Sequence, residues 1–479
     1  MELWAIVPEL ILAGGVLVLL PLGSFLPLNR KHINHWLALV VLAAAAIATA
    51  RMTSWNTIMV FYGTYAIDPL ATFTKVIGIA ATALTLLATE SHFRAKAREA
   101  EVAPLLLLTC LGVFGLAAST DLALIALFLQ VTTVGSYLLI AIDKESRLAT
   151  EGAVKFFLFS AAAGAVMLYG MAILYGLTGS LSLAEIGSKL AGMPGHTGLV
   201  ALALILAGYG YKAAIVPFHA WVPDAYQGAP APIAGFISVA PKAAAFAVLL
   251  RTVLTAFPHD ERFWSSGIAV LAATTMTLGN VAALRQSSAK RLVAYSSIAQ
   301  AGYLLAGVAA ALRDPLAVSG LLFYLFVYVF MNLGAFVAVD ALERATGSDE
   351  IANFAGASHA LPLASAALAV SALALAGFPP FGSFPAKAML FGAAISAGWS
   401  WLAIVMAINT ALSLYYYVRL IQPLYFGAST GSSVKDLPRA MTAALLLLIA
   451  GAAVSGILPG RVARFAGRSV PTAMRIAHR

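Results

Sequence analysis

Apolar runs of about 20 residues recur along the whole chain, separated by short polar loops, and each run matches the thickness of a bilayer. In hydrocarbon no water satisfies backbone N–H and C=O groups, so every such run must pair its own backbone and be helical. Counting by length predicts roughly 14 crossings. They fall at residues 4–26, 33–50, 68–89, 103–118, 121–142, 153–177, 197–222, 231–256, 264–284, 291–312, 316–341, 360–395, 399–424 and 438–459. Only 10% of residues are charged, against about 25% in a soluble domain. The chain is read as an all-α polytopic membrane protein. Glu2 replaces the basic flank of a leader and no cleavage-type sequence precedes the second run, so the first run reads as a spanning helix.

Several function classes drop out. Cys110 is the sole cysteine, which excludes an intrachain disulfide and an all-cysteine iron–sulfur or zinc site within this chain. The histidines are scattered without paired ligand spacing, and no Walker-type loop occurs. Gly208-Tyr-Gly210 lacks the rest of a dinucleotide fingerprint and reads as helix-packing glycine.

The net charge of +9 reports loop asymmetry rather than nucleic-acid binding. With the N-terminus outside, the inner loops hold Arg30, Lys31, Arg94, Lys96, Arg98, Lys144, Arg147, Arg285, Lys290, Arg291, Arg344, Lys435 and Arg439. The outer loops hold Arg51, Lys189, Arg251, Arg262 and Arg313. The tail departs from this rule. Arg461, Arg464, Arg468, Arg475 and Arg479 fall outside if the crossing count is even. A tail docked on a neighbouring chain is preferred to a miscount.

Two runs are interrupted, the seventh near Pro217 and the twelfth at Gly377 to Pro380 and again at Pro385. Each carries a lysine beside its break, Lys212 and Lys387. Broken helices at matching places in two halves are the sequence mark of inverted repeats with a site near the midplane. Lys242 follows Pro241 in the eighth run, and neither it nor Lys212 has an acid within helical reach. A charge deep in hydrocarbon costs about 2.5–3.5 kcal/mol even on the mildest scale. Loss of hydration disfavours the charged amine, so such a lysine can take up and release a proton in a working cycle. The competing reading is a lysine snorkelling to the interface.

Other polar residues divide between the two readings. Lys155 lies four residues after Glu151 and can pair with it on one helix face. His219 sits just past Pro217, where it can relay protons or cap freed carbonyls. Gln300, Tyr303 and Tyr295 can hold water in the tenth run, and Asn409 lies in the thirteenth. Tyr415, Tyr416 and Tyr417 read as an interfacial aromatic belt. Glu9 and Asp68 read as structural.

The strings EGAVKFFLFSA, YKAAIVPFHAWVPDAYQGAPAPI, SVAPKAAAFA, LRQSSAKRLVAYSSIAQAGYLLAG, LALAGFPPFGSF and NTALSLYYYVRLI resemble the subunit N family of bacterial NADH-quinone oxidoreductase, respiratory complex I. The resemblance runs from Pro8 to the last apolar run. It implies two inverted five-helix repeats, discontinuous seventh and twelfth helices, and proton pumping along Lys212, Lys242 and Lys387. It divides the chain into an N-terminal three-helix segment at 1–102, repeats at 103–256 and 264–424, and a last helix with a basic tail at 425–479. It implies no cofactor in this chain; NADH, quinone, flavin and iron–sulfur clusters belong to the wider complex. The implied partners are the other membrane subunits, neighbouring antiporter-like ones included, and the lipid bilayer of a bacterial inner membrane, with no nucleic acid. One departure stands out: Thr132 is expected where the family has a fifth-helix glutamate that pairs with the seventh-helix lysine. Gln130 and Thr132 can hold water there but not charge. A cation/proton antiporter subunit without electron transfer, and a structural subunit with impaired pumping, are the alternative readings.

Overall fold

The structure is a computed structural model that describes residues 2–54, 56–94, 96, 98–193, 196–427 and 436–469. Lys435, Arg475 and Arg479 of the basic-residue pattern lie outside the described residues. The helices in chain order are α1 (Val7–Phe25), α2 (Ile33–Arg51), α3 (Pro69–Glu90), α4 (Glu99–Ala118), α5 (Leu122–Ile140), α6 (Arg147–Thr178), α7 (Leu183–Leu190), α8 (Thr197–Ala213), α9 (Val222–Gly228) and α10 (Ala231–Ala256). They continue as α11 (Glu261–Ala283), α12 (Ala289–Ala309), α13 (Pro315–Thr346), α14 (Ala357–Ala360), α15 (Pro362–Ala376), α16 (Ser383–Ser396), α17 (Ser400–Phe426), α18 (Arg439–Ile457) and α19 (Pro459–Arg468). Among the described residues, 12 helices are long and apolar enough to cross a membrane. The seventh and twelfth runs are the broken ones, resolved into α8 plus α9 and α15 plus α16.

Local chemistry sets the ends. Asp68, Asp121, Ser146, Ser288 and Asp314 cap α3, α5, α6, α12 and α13 by accepting from first-turn N–H groups. Gly179, Gly347 and Gly377 end α6, α13 and α15 in the left-handed conformation. Three features lie outside the expected pattern: the hairpin of β1 (Ile58–Val60) and β2 (Tyr65–Ile67), the short α7, and α19.

The two halves share one contact pattern. α4 packs on α5 and α10, α5 on α6, and α6 on both α8 and α9. Likewise α11 packs on α12 and α17, α12 on α13, and α13 on both α15 and α16. Each half also carries the same two-bond rung. Leu122 N–H donates to the Leu181 carbonyl and Leu183 N–H to Thr120, while Ala289 N–H donates to Asp349 and Ile351 N–H to Ser287. The first rung sits beside the hairpin, where Thr120 N–H donates to the Thr64 carbonyl. The second lies at the opposite end, where Asp224 joins Lys155 at the start of α6 to Arg291 at the start of α12.

α10, α12 and α13 are almost wholly enclosed and form the centre of the bundle. A buried ion pair locks α10 to the N-terminal helices. Arg251 reaches both Asp68 oxygens at 2.7 and 3.1 Å and also the Ala117 carbonyl at 2.9 Å.

Candidate functional site

Lys212 ends α8, just before Ala214 turns the chain out of the helix with φ 64°. Its buried amine points at α5, 3.3 Å from the Ser136 hydroxyl and 3.5 Å from that of Thr133. The Phe156 ring lies below it at 5.3 Å. Thr133 and Ser136 share this face because residues three apart are neighbours on a helix. Thr132, four residues before Ser136, neighbours it too, but makes no hydrogen bond to Lys212 among the described residues. Its hydroxyl donates to the Phe128 carbonyl at 2.6 Å, and its backbone abuts Gly112 of α4 so closely that a Cβ there would lie 2.7 Å from the Thr132 nitrogen. The Lys212 amine thus bonds Thr133 and Ser136 and not Thr132, the position the resemblance singles out.

Lys242 comes from the enclosed α10. Its amine donates to the Ser297 hydroxyl at 2.6 Å and the Ser297 carbonyl at 2.8 Å. Tyr328 donates to the same hydroxyl at 2.9 Å.

Lys387 lies in α16, past the second break, and turns back onto it. Its amine donates to the Leu375 and Ala376 carbonyls at 3.0 and 3.2 Å, under the Tyr303 ring at 4.5 Å. A broken helix leaves end carbonyls without N–H partners; here the lysine itself satisfies two of them. Gly377 lets it do so, since a Cβ there would stand 3.1 Å from Lys387 Cδ. The two breaks thus differ: Lys212 precedes its break and Lys387 follows its own. A cleft of about 600 Å³ lined by Phe378, Phe384, Lys387 and Thr410 opens beside it.

A buried hydrogen-bonded network joins the second break to the centre. Gln300 donates to the Leu375 carbonyl and to the Tyr417 hydroxyl, both at 3.1 Å. It accepts from Tyr324 at 2.5 Å. Tyr417 meets the Ser296 hydroxyl at 2.5 Å, one residue from the Lys242 partner. Tyr416 donates to Asn280, whose amide donates to Asn409 at 2.9 Å. Tyr416 and Tyr417 are fully buried, and only Tyr415, 64% exposed, fits an interfacial belt. The expected belt is corrected: consecutive positions on a helix face different ways. Tyr303 joins Thr410 at 3.0 Å, while Tyr295 is only partly buried.

Lys212 is not a member of that network. Between it and the centre lies an aromatic cluster of Phe156, Tyr211, Trp221 and Tyr226. His219 sits in the first break, half-buried, and its Nδ1 has no hydrogen-bond partner. Lys155 belongs to a surface ion cluster, 2.5 Å from Glu151 and 2.6 Å from Asp224.

A fourth buried lysine escaped the sequence reading. Lys75 pairs with Glu9 at 2.6 Å and with the Tyr65 hydroxyl at 3.1 Å. Glu9 and Asp68 are thus the counter-charges of Lys75 and Arg251. The contrast is chemical: Lys75 faces a carboxylate, whereas the described partners of Lys212, Lys242 and Lys387 are neutral oxygens and ring faces. Ser297 and Ser296 were also missed; their signal was a run of small hydroxyls four residues from Gln300 in an apolar helix. Among the described residues no group of three or more His, Cys, Asp or Glu is placed to hold a metal.

The family model described as NADH:quinone oxidoreductase/Mrp antiporter, TM, matches residues 119–413. An NADH-quinone oxidoreductase subunit N of Trichlorobacter lovleyi is 37% identical over 97% of this chain and 96% of that protein. An F(420)H(2) dehydrogenase subunit N of Methanosarcina mazei is 34% identical over 96% of both chains. Among solved structures, a chain of respiratory complex I from Thermus thermophilus with bound aureothin superposes with TM-score 0.81 at 31% identity, covering 96% of this chain and 99% of that one.

Proposed function

The chain belongs to the subunit N family of NADH-quinone oxidoreductase, and from that premise we propose that it moves protons across the membrane along Lys212, Lys242 and Lys387. Quinone reduction elsewhere in the complex drives the movement. The observation that carries this reading is a pair of buried, carboxylate-free hydrogen-bonded groups that meet at adjacent residues of α12: Lys242 with Ser297, and Ser296 with Tyr417, Gln300 and the Leu375 carbonyl that Lys387 also reaches. The hydroxyls of Ser296, Ser297 and Tyr417 both donate and accept, so each can take part in passing a proton.

An amine held by neutral oxygens has no fixed counter-charge. A negative charge brought near favours its protonated form and a positive one favours release. One lysine changing state therefore biases the next, and the set titrates together. His219, with an unpartnered Nδ1 in the first break, is the proposed relay for Lys212. Segments 103–256 and 264–424 are proposed as inverted copies, supported by their matched contacts and by rungs at opposite ends of the bundle. No redox chemistry is assigned to this chain; NADH, flavin, iron–sulfur and quinone are assigned to its partner subunits.

The test replaces Lys212, Lys242 and Lys387 singly with Met in the assembled complex. Proton uptake into membrane vesicles is measured against electron transfer. Loss of uptake with assembly intact is expected; full coupled uptake in all three variants would end the mechanism. The family description also names Mrp antiporters, which supports antiport without electron transfer as the second reading. Peripheral flavin and iron–sulfur absorbance co-purifying with the chain favours the first, and its absence favours the second. A structural subunit with impaired pumping would leave uptake unchanged in the Lys212 variant, whose site has only Thr133 and Ser136 for partners.

A further inference from the structure

α19 leaves the end of α18 after a single residue, Leu458. The last turn of α18 exposes Val454 and Ile457, with Leu458 beyond it, so α19 starts at the edge of the apolar zone. One face of α19 is docked. Phe465 lies 5.0 Å from the Phe73 ring near the start of α3, and a Cβ at Gly467 would meet Ser319 near the start of α13. Those helix starts belong to the hairpin end of the bundle. This settles the position of the described part of the tail: residues 459–468 lie on the N-terminal side, against the loop-charge rule.

The other face carries Arg461, Arg464 and Arg468, all exposed and spaced three and four apart. Arg461 and Arg464 make no ion pair with any described residue. Cations placed at headgroup depth on an amphipathic helix, with no protein anion to hold them, are matched by lipid phosphate. We propose that the arginine face of α19 binds anionic phospholipid headgroups of the leaflet at the N-terminal end of the bundle. Phe465 and Ala466 are docked, and Arg461 and Arg464, exposed and three apart, share one helix face, so each guanidinium is free to take a phosphate bidentately.

A photo-crosslinkable phosphatidylglycerol tests this, with the matching phosphatidylcholine as control, in vesicles holding the whole assembled complex. Labelling is mapped to the peptide spanning 459–468. Phosphatidylglycerol should label it several-fold more than phosphatidylcholine. The R461Q/R464Q double variant should lose about tenfold or more of that labelling. R461K/R464K, which keeps the charge, should retain most of it, and inorganic phosphate should not compete. Equal labelling by the two lipids in the wild-type complex overturns the proposal even if the glutamine variant fails to assemble. So does undiminished labelling in R461Q/R464Q. A wild-type complex that shows no lipid label, but sheds a neighbouring subunit in R461Q/R464Q, assigns the face to a protein partner instead.

Discussion

The Lys242 amine of α10 stands 2.6 Å from the Ser297 hydroxyl of α12, across the seam where the two halves of the chain meet. Lys242 ends the first half's row of amines, and Ser297 is the sequence neighbour of Ser296, where the network that runs to the second break begins. In the proposed route the seam is also the handover point between halves.

Ser297→Ala removes the hydroxyl that serves both Lys242 and Tyr328 but leaves the backbone carbonyl in place. A hydrogen bond to a charged group contributes about 1.5–3 kcal/mol. Coupled proton uptake in vesicles should fall roughly tenfold, taking the lower end of that range, while the complex still assembles. Uptake equal to wild type would remove Ser297 from the route.

Gly377→Ala tests the second break. Its φ of 91° disfavours any residue with a Cβ, and the added carbon would press on Lys387. The strain alone should exceed about 1 kcal/mol. A lower melting temperature of the complex and reduced proton uptake are expected together. A melting temperature unchanged from wild type would show that the break tolerates a side chain.

Thr133→Glu places a carboxylate within reach of the Lys212 amine, so the charge should be paired and tolerated. Assembled complex in membranes, quantified by native gel, should be near normal. Scarce complex would contradict the orientation of α5.

Asp68→Asn leaves Arg251 buried beside a neutral amide. Breaking one side of a buried pair costs about 3–5 kcal/mol. Far less chain should accumulate in the membrane, and Asp68→Asn with Arg251→Met should recover part of it. Normal accumulation of the single variant would show the pair to be dispensable.

The sequence alone determined the helical class, the two broken runs and the three buried amines. Each follows from one-dimensional rules: apolar length against bilayer thickness, proline and glycine against helix continuity, and charge against hydrocarbon. Orientation was decided only by tertiary structure. Whether Thr132 or Thr133 meets Lys212, and whether Tyr415 or Tyr417 is buried, depends on how far each helix is turned about its axis. In a chain this apolar on every side, no amphipathic stripe records that turn. Partners 55 residues apart, such as Lys242 and Ser297, are likewise invisible until the halves close on each other. The side of the tail was open for the same reason: charge counting alone argued against the face on which the contacts of Phe465 place it.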